Sequence, residues 1–119
     1  MTDSVIDQTV LDQIRAIDES GTAGLLVKII EMYLDESARM QVEMAGAIEA
    51  GDTAALYQLA HTLKSTSANV GAMKVSDVSK CLEDCGRSGE LDNALDLFRS
   101  LEAENNRAMV ELQGIANAA

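Results

Sequence analysis

Apolar residues return three and four positions apart along most of this chain, the period of a helix that buries one face. Leu11, Ile14 and Ile17 share one side of a short first helix, predicted over about Asp7 to Asp18. The stretch "SGTAG", Ser20 to Gly24, separates it from a long second helix over about Ala23 to Ala50. The stripe of that helix is Leu26, Ile30, Tyr33, Leu34, Ser37, Met44 and Ile48. Gly51 suits a left-handed stop, and Asp52 suits an N-cap whose carboxylate accepts from the first free amides of a third helix. The third helix turns Leu56, Leu59, Ala60, Leu63, Ser67 and Val70 inward and is expected to run to about Gly71 or Ala72. A fourth, about Lys74 to Gly86, would bury Val75, Val78, Cys81, Leu82 and Cys85. After the turn "GRSGELD", a last helix over about Leu91 to Ile115 uses Leu95, Phe98, Leu101, Met109 and Leu112.

Each stripe needs a partner. Four long amphipathic helices with short connections provide partners for one another in an antiparallel up-and-down four-helix bundle, with the short N-terminal helix capping an end. The expected fold is therefore all-α, as one domain over residues 1–119. Composition points the same way: there is no proline and only 3% aromatic residues, which leaves the core to Leu, Ile, Val, Met and Ala.

Charge narrows the partners. Twenty acidic residues against nine basic ones give a formal net charge of −11, which repels a phosphate backbone and an anionic membrane leaflet. Neither nucleic acid nor membrane is an expected partner. No apolar run approaches the roughly 20 residues needed to span a bilayer. The opening "MTDSVIDQTV" lacks the basic start of a signal peptide, so a cytoplasmic location is expected. Cys81 and Cys85 then read as reduced thiols acting as small buried hydrophobes. A zinc site built from both thiols and His61 would lack a fourth ligand, so no metal site is expected.

The chain has a single histidine, His61. At about 100° per residue it projects roughly 150° from the centre of the third helix's apolar stripe, and so faces outward. Gln58, Ser65, Ala68 and Ala72 are placed on the same face, with Lys64 on its flank. In a chain with 24% charged residues, a solvent face ordinarily carries long charged side chains. This face is nearly smooth. Small residues let another protein's surface come close to the imidazole, as in-line attack on that protein's phosphoryl group requires, and the Lys64 ammonium could pair with the arriving charge. There is no glycine-rich phosphate loop, and an open helix face cannot enclose ATP.

The stretch "HTLKSTSANVGA" resembles the signature of histidine-containing phosphotransfer (HPt) domains, written H-x-L-K-G-x-S-x-x-x-G-A; His61, Leu63, Lys64, Ser67, Gly71 and Ala72 match it. The similarity extends over "VLDQIRAID", "GLLVKIIEMYLDES", "AIEAGDTAALYQLAHTLK" and "LEDCGRSGELDNA", nearly the whole chain. The resemblance implies a helical bundle that relays phosphoryl groups between the receiver domains of a hybrid sensor histidine kinase and a response regulator, with no catalytic activity of its own. It makes His61 the phosphorylated residue and Lys64 the side chain that steadies the phosphoryl group. Gly71 becomes a close-packing position, and Glu83 the group that hydrogen-bonds and orients the imidazole. No cofactor belongs to this chain in that scheme, because the receiver brings the Mg²⁺ and the carboxylates. The departure is Ser65, where glycine is commoner.

Two other readings make different demands. The phosphoacceptor domain of a histidine kinase also carries its histidine on a helix, but it needs a dimer, and commonly an acidic residue after the histidine and a proline further on. Here Thr62 follows, proline is absent, and a monomer is expected. A docking module without chemistry would keep the smooth face but would have no need of His61 or Lys64.

Overall fold

The computed structural model describes residues 4–19, 21 and 24–119. Ser20, Thr22 and Ala23 of the predicted separator and the first three residues of the amino terminus lie outside the described residues. Five helices follow one another: α1 (Gln8–Ile17), α2 (Gly24–Ala50), α3 (Thr53–Asn69), α4 (Met73–Ser88) and α5 (Ala94–Ala118), with no strand among the described residues. The four long helices close a ring in which α2 packs on α3, α3 on α4, α4 on α5 and α5 back on α2, while α1 lies against α2. The all-α bundle with a short additional N-terminal helix is the arrangement the periodicity predicts.

Local chemistry explains the boundaries. The Asp7 carboxylate accepts from the Thr9 amide at 3.0 Å and caps α1, and the Asp52 carboxylate accepts from the Ala55 amide at 3.0 Å and caps α3. The core is aliphatic, with Leu11, Leu26, Ile30, Met44, Leu56, Leu63, Val75, Leu82, Leu101 and Leu112 fully buried. One polar set crosses it: the Tyr33 hydroxyl donates to Asn105 Oδ1 at 2.7 Å, and Asn105 Nδ2 donates to Gln41 Oε1 at 3.1 Å. This set matches polar partners on α2 and α5, because a slip of either helix would leave buried groups unpaired.

Several expectations need correction. Ile17 is 70% exposed because it ends α1 beyond the part held down by Leu11 and Ile14. Leu95 is 50% exposed. α5 starts at Ala94 and buries Ala94, Phe98, Leu101, Asn105, Ala108 and Leu112, a series that leaves Leu95 about 100° out of phase. α5 also runs on to Ala118, past the predicted Ile115. Cys81 is exposed, with only Cys85 packed against the core. The reason is the face α4 presents. Its buried residues are Val75, Ser76, Ser79, Leu82, Glu83 and Gly86, so the helix is rotated by roughly a quarter turn from the stripe its apolar residues suggest.

The end of α3 also differs. The helix stops at Asn69, and the chain turns through Val70 and Gly71. Gly71 has φ +80°, and a Cβ there would stand 2.7 Å from the Asp7 carbonyl oxygen. The Asp7 amide donates to the Gly71 carbonyl at 2.8 Å, which ties the N-terminal segment to the α3–α4 turn. Glycine is therefore needed at position 71 for its backbone conformation and for the passing N-terminal segment, not for helix-on-helix contact.

Candidate functional site

The site lies between α3 and α4, whose approach is set by a residue the periodicity passes over. Gly86 sits inside α4, where a Cβ would fall 2.6 Å from the Tyr57 nitrogen, 2.8 Å from Tyr57 Cα and 2.9 Å from the Thr53 carbonyl oxygen. Only glycine allows the two backbones this close. One turn away along the antiparallel pair, the same closeness brings Glu83 of α4 up to His61 of α3. Nearer the turn, Ser76 Oγ donates to the Lys64 carbonyl at 2.8 Å and holds the pair together there.

Glu83 is nearly buried, with its side chain 3% exposed. A buried carboxylate survives only when its oxygens are paired. Here Oε1 accepts from Lys64 Nζ at 2.8 Å, and Oε2 is hydrogen-bonded to His61 Nδ1. The Lys64 hydrogen bond, and after it the His61 one, hold the Glu83 carboxyl below the usual glutamate range, against the opposing pull of burial. An ionised Glu83 can only accept, so His61 Nδ1 carries a hydrogen, and in the neutral imidazole that tautomer leaves the lone pair on Nε2. The His61 side chain is 52% exposed. The geometry thus yields an imidazole with one nitrogen pinned inward and the other offered as a nucleophile.

The ring has a second neighbour. Tyr57, one turn earlier on α3, stacks on His61 with centroids 5.8 Å apart and planes inclined by 17°. The Arg87 guanidinium lies over the Tyr57 ring, 5.6 Å from its centroid, and pairs with Asp84 at 3.3 Å.

Gln58 and Ser65 are exposed beside His61, and Ala68 is half-buried. Ala72 does not belong to that face. It is 1% exposed, because α3 has already ended and the Gly71 turn carries Ala72 to the start of α4, where its amide donates to the Ser67 carbonyl at 2.9 Å. No Asp or Glu occurs anywhere in α3. In a chain with twenty acidic residues, this keeps α3 itself free of carboxylates, and the one carboxylate bonded to the imidazole, Glu83 of α4, is buried and paired. Among the described residues there is no cluster of three or more His, Cys, Asp or Glu able to hold a metal ion, and no helix long and apolar enough to cross a membrane.

Tyr57, Gly86, Arg87 and Ser76 were not singled out from the sequence. Two of them left a signal. Tyr57 lies four residues before the histidine, the spacing of stacked helical neighbours. Gly86 stands at the predicted end of the fourth helix, where a glycine reads as a stop; α4 instead runs on to Ser88, and a glycine kept inside a helix costs about 1 kcal/mol and so suggests a packing reason.

The Hpt domain family model matches residues 28–117 of this chain. Histidine-containing phosphotransfer protein 5 of Arabidopsis thaliana is 22% identical over 108 residues, covering 88% of this chain and 69% of that protein. Multistep phosphorelay regulator 1 of Schizosaccharomyces pombe is 27% identical over 93 residues, covering 78% of this chain but only 32% of that protein. The crystal structure of histidine-containing phosphotransfer protein B from Pseudomonas aeruginosa PAO1 superimposes with a TM-score of 0.89 at 25% identity, covering 99% of each chain.

Proposed function

Because this chain belongs to the Hpt domain family and serves phosphorelay phosphotransfer, we propose that it carries the phosphoryl group on Nε2 of His61. The observation behind this reading is the pairing of His61 Nδ1 with a buried, ionised Glu83, which leaves Nε2 as the exposed nucleophile. In the forward step Nε2 attacks the phosphorus of a receiver's aspartyl phosphate in line. The N–P bond forms as the acyl P–O bond breaks, and the aspartate leaves as a carboxylate. Nδ1 keeps its hydrogen throughout. The positive charge that develops on the ring is offset by Glu83, which needs no movement to do so. Lys64 shares Glu83 with the imidazole and stands ready to turn toward the incoming phosphoryl oxygens. The reverse step passes the group to a second receiver, since an N–P bond and an acyl phosphate are both high-energy linkages.

In this scheme the chain acts as a monomeric carrier without kinase or phosphatase activity of its own. Mg²⁺ and the acidic residues that hold it belong to the receiver. A receiver domain pre-charged with acetyl phosphate, mixed with the purified chain, should label it with acid-labile, alkali-stable phosphate. His61→Gln should abolish the label while leaving helix content by circular dichroism unchanged, because the side chain lies outside the core. A wild-type chain that stays unlabelled overturns the relay and leaves a docking module; elution as a dimer in gel filtration overturns the monomer.

A further inference from the structure

From the contacts around the imidazole, we infer that Tyr57 is a positioning residue for phosphoryl transfer, holding the face of the His61 ring while Glu83 holds its edge, and that Arg87 steadies Tyr57 in that task. This rests on His61 being the phosphoacceptor. A single hydrogen bond at Nδ1 selects the tautomer but leaves the ring free to tilt, because the terminal torsion of a histidine is broad. Tilt moves Nε2, the far corner of the ring. In-line attack depends on where that corner points, and small misplacements of a nucleophile are costly. A near-parallel neighbour at 5.8 Å and 17° removes that freedom.

The tyrosine is itself held. Gly86 lets α4 press against the Tyr57 backbone, and the next residue, Arg87, lays its guanidinium over the ring at 5.6 Å. Arg87 is anchored in turn by Asp84 at 3.3 Å. One turn of α4 therefore supplies both Glu83, which fixes the imidazole's edge, and Arg87, which fixes the ring that covers its face. Two constraints from two directions leave the imidazole one orientation.

The test avoids any partner protein. Potassium phosphoramidate phosphorylates imidazoles directly: its P–N bond breaks, an N–P bond forms at the ring, and ammonia departs with the electron pair. Because the chain has one histidine, long-range ¹H–¹⁵N spectra report His61 alone. Tyr57→Ala should move the His61 ring protons downfield as the tyrosine ring current is lost, with the Nδ1–H tautomer retained. It should also slow labelling by a few-fold to about tenfold. Tyr57→Phe, which keeps the ring, should restore both readings, and Arg87→Gln should fall between. A folded Tyr57→Ala chain with wild-type ring shifts and a wild-type rate overturns the inference and leaves the phosphoacceptor assignment standing. A wild-type chain that takes no phosphoryl group at His61 overturns the assignment and this inference with it.

Discussion

At the scale of single residues, the site turns on one carboxylate. Glu83 is buried, and its pKa lies below the ordinary glutamate value because the ionised form is hydrogen-bonded to Lys64 and His61. A lowered folded-state pKa stabilises the fold above the unfolded pKa, and that contribution disappears as pH falls through the folded value. Glu83→Gln should therefore reduce stability by about 1.5–3 kcal/mol at neutral pH, the range for hydrogen bonds to charged groups. The deficit should shrink toward zero in acid, as measured by urea unfolding across pH. A deficit that stays constant down to the acid range would remove the ionised pair from the stability of the fold. Lys64→Ala has a separate consequence: it should slow phosphoryl transfer or shorten the lifetime of the label without abolishing it, measured by the decay of labelled protein. His61 and Lys64 could be picked out from the sequence as an outward-facing pair on a smooth helix face. Glu83 came only through resemblance, since nothing in the local pattern of α4 says that a glutamate there turns inward.

At the scale of elements, the α3–α4 pair decides whether those groups meet. Its closeness depends on Gly86, where alanine would bring a Cβ to 2.6 Å from the Tyr57 nitrogen. Helix propensity alone favours alanine by about 1 kcal/mol. Backbone atoms cannot give way as a side-chain tip can, so overpacking should win and Gly86→Ala should lower stability by about 1–3 kcal/mol. Thermal unfolding would measure this, and a stabilised variant would show that α4 does not rest on α3 at this point. The orientation of α4 departs furthest from its apolar periodicity, for a physical reason. A helix packed this tightly against a neighbour buries small and polar residues, here Ser76, Ser79 and Gly86, and turns Cys81 to solvent. Apolar periodicity assumes that the most hydrophobic stripe faces in, which holds for α2 and fails where backbones touch.

At the scale of the molecule, charge is distributed unevenly. The chain carries a formal −11, yet α3 has no acidic residue. A receiver's phosphorylated site is itself negative, so a helix free of carboxylates lets it approach where the rest of the surface would repel it. Ser65→Glu places both bulk and charge beside His61. It should cut labelling by a charged receiver about tenfold or more relative to labelling by phosphoramidate, because a like charge at an interface opposes docking but hardly concerns a small donor. An unchanged ratio of the two rates would show that receivers dock elsewhere. An unbroken α3 would carry Ala72 on this face; the turn at Gly71 removes it to the interior, and the smooth face ends with α3.

The amino-acid sequence alone determined the helical class, the number and order of helices, the acidic surface and the outward direction of the imidazole. All of these follow from periodicity, composition and the angle between residues within one helix. The tertiary structure decided what no single helix contains: which face α4 presents to α3, how Glu83 reaches both His61 and Lys64, how Tyr57 and Arg87 come to bear on the same ring, and where the chain leaves α3. Those relations depend on how closely backbones approach, which Gly86 sets between α3 and α4, and on the left-handed turn at Gly71, where a Cβ would meet the N-terminal segment.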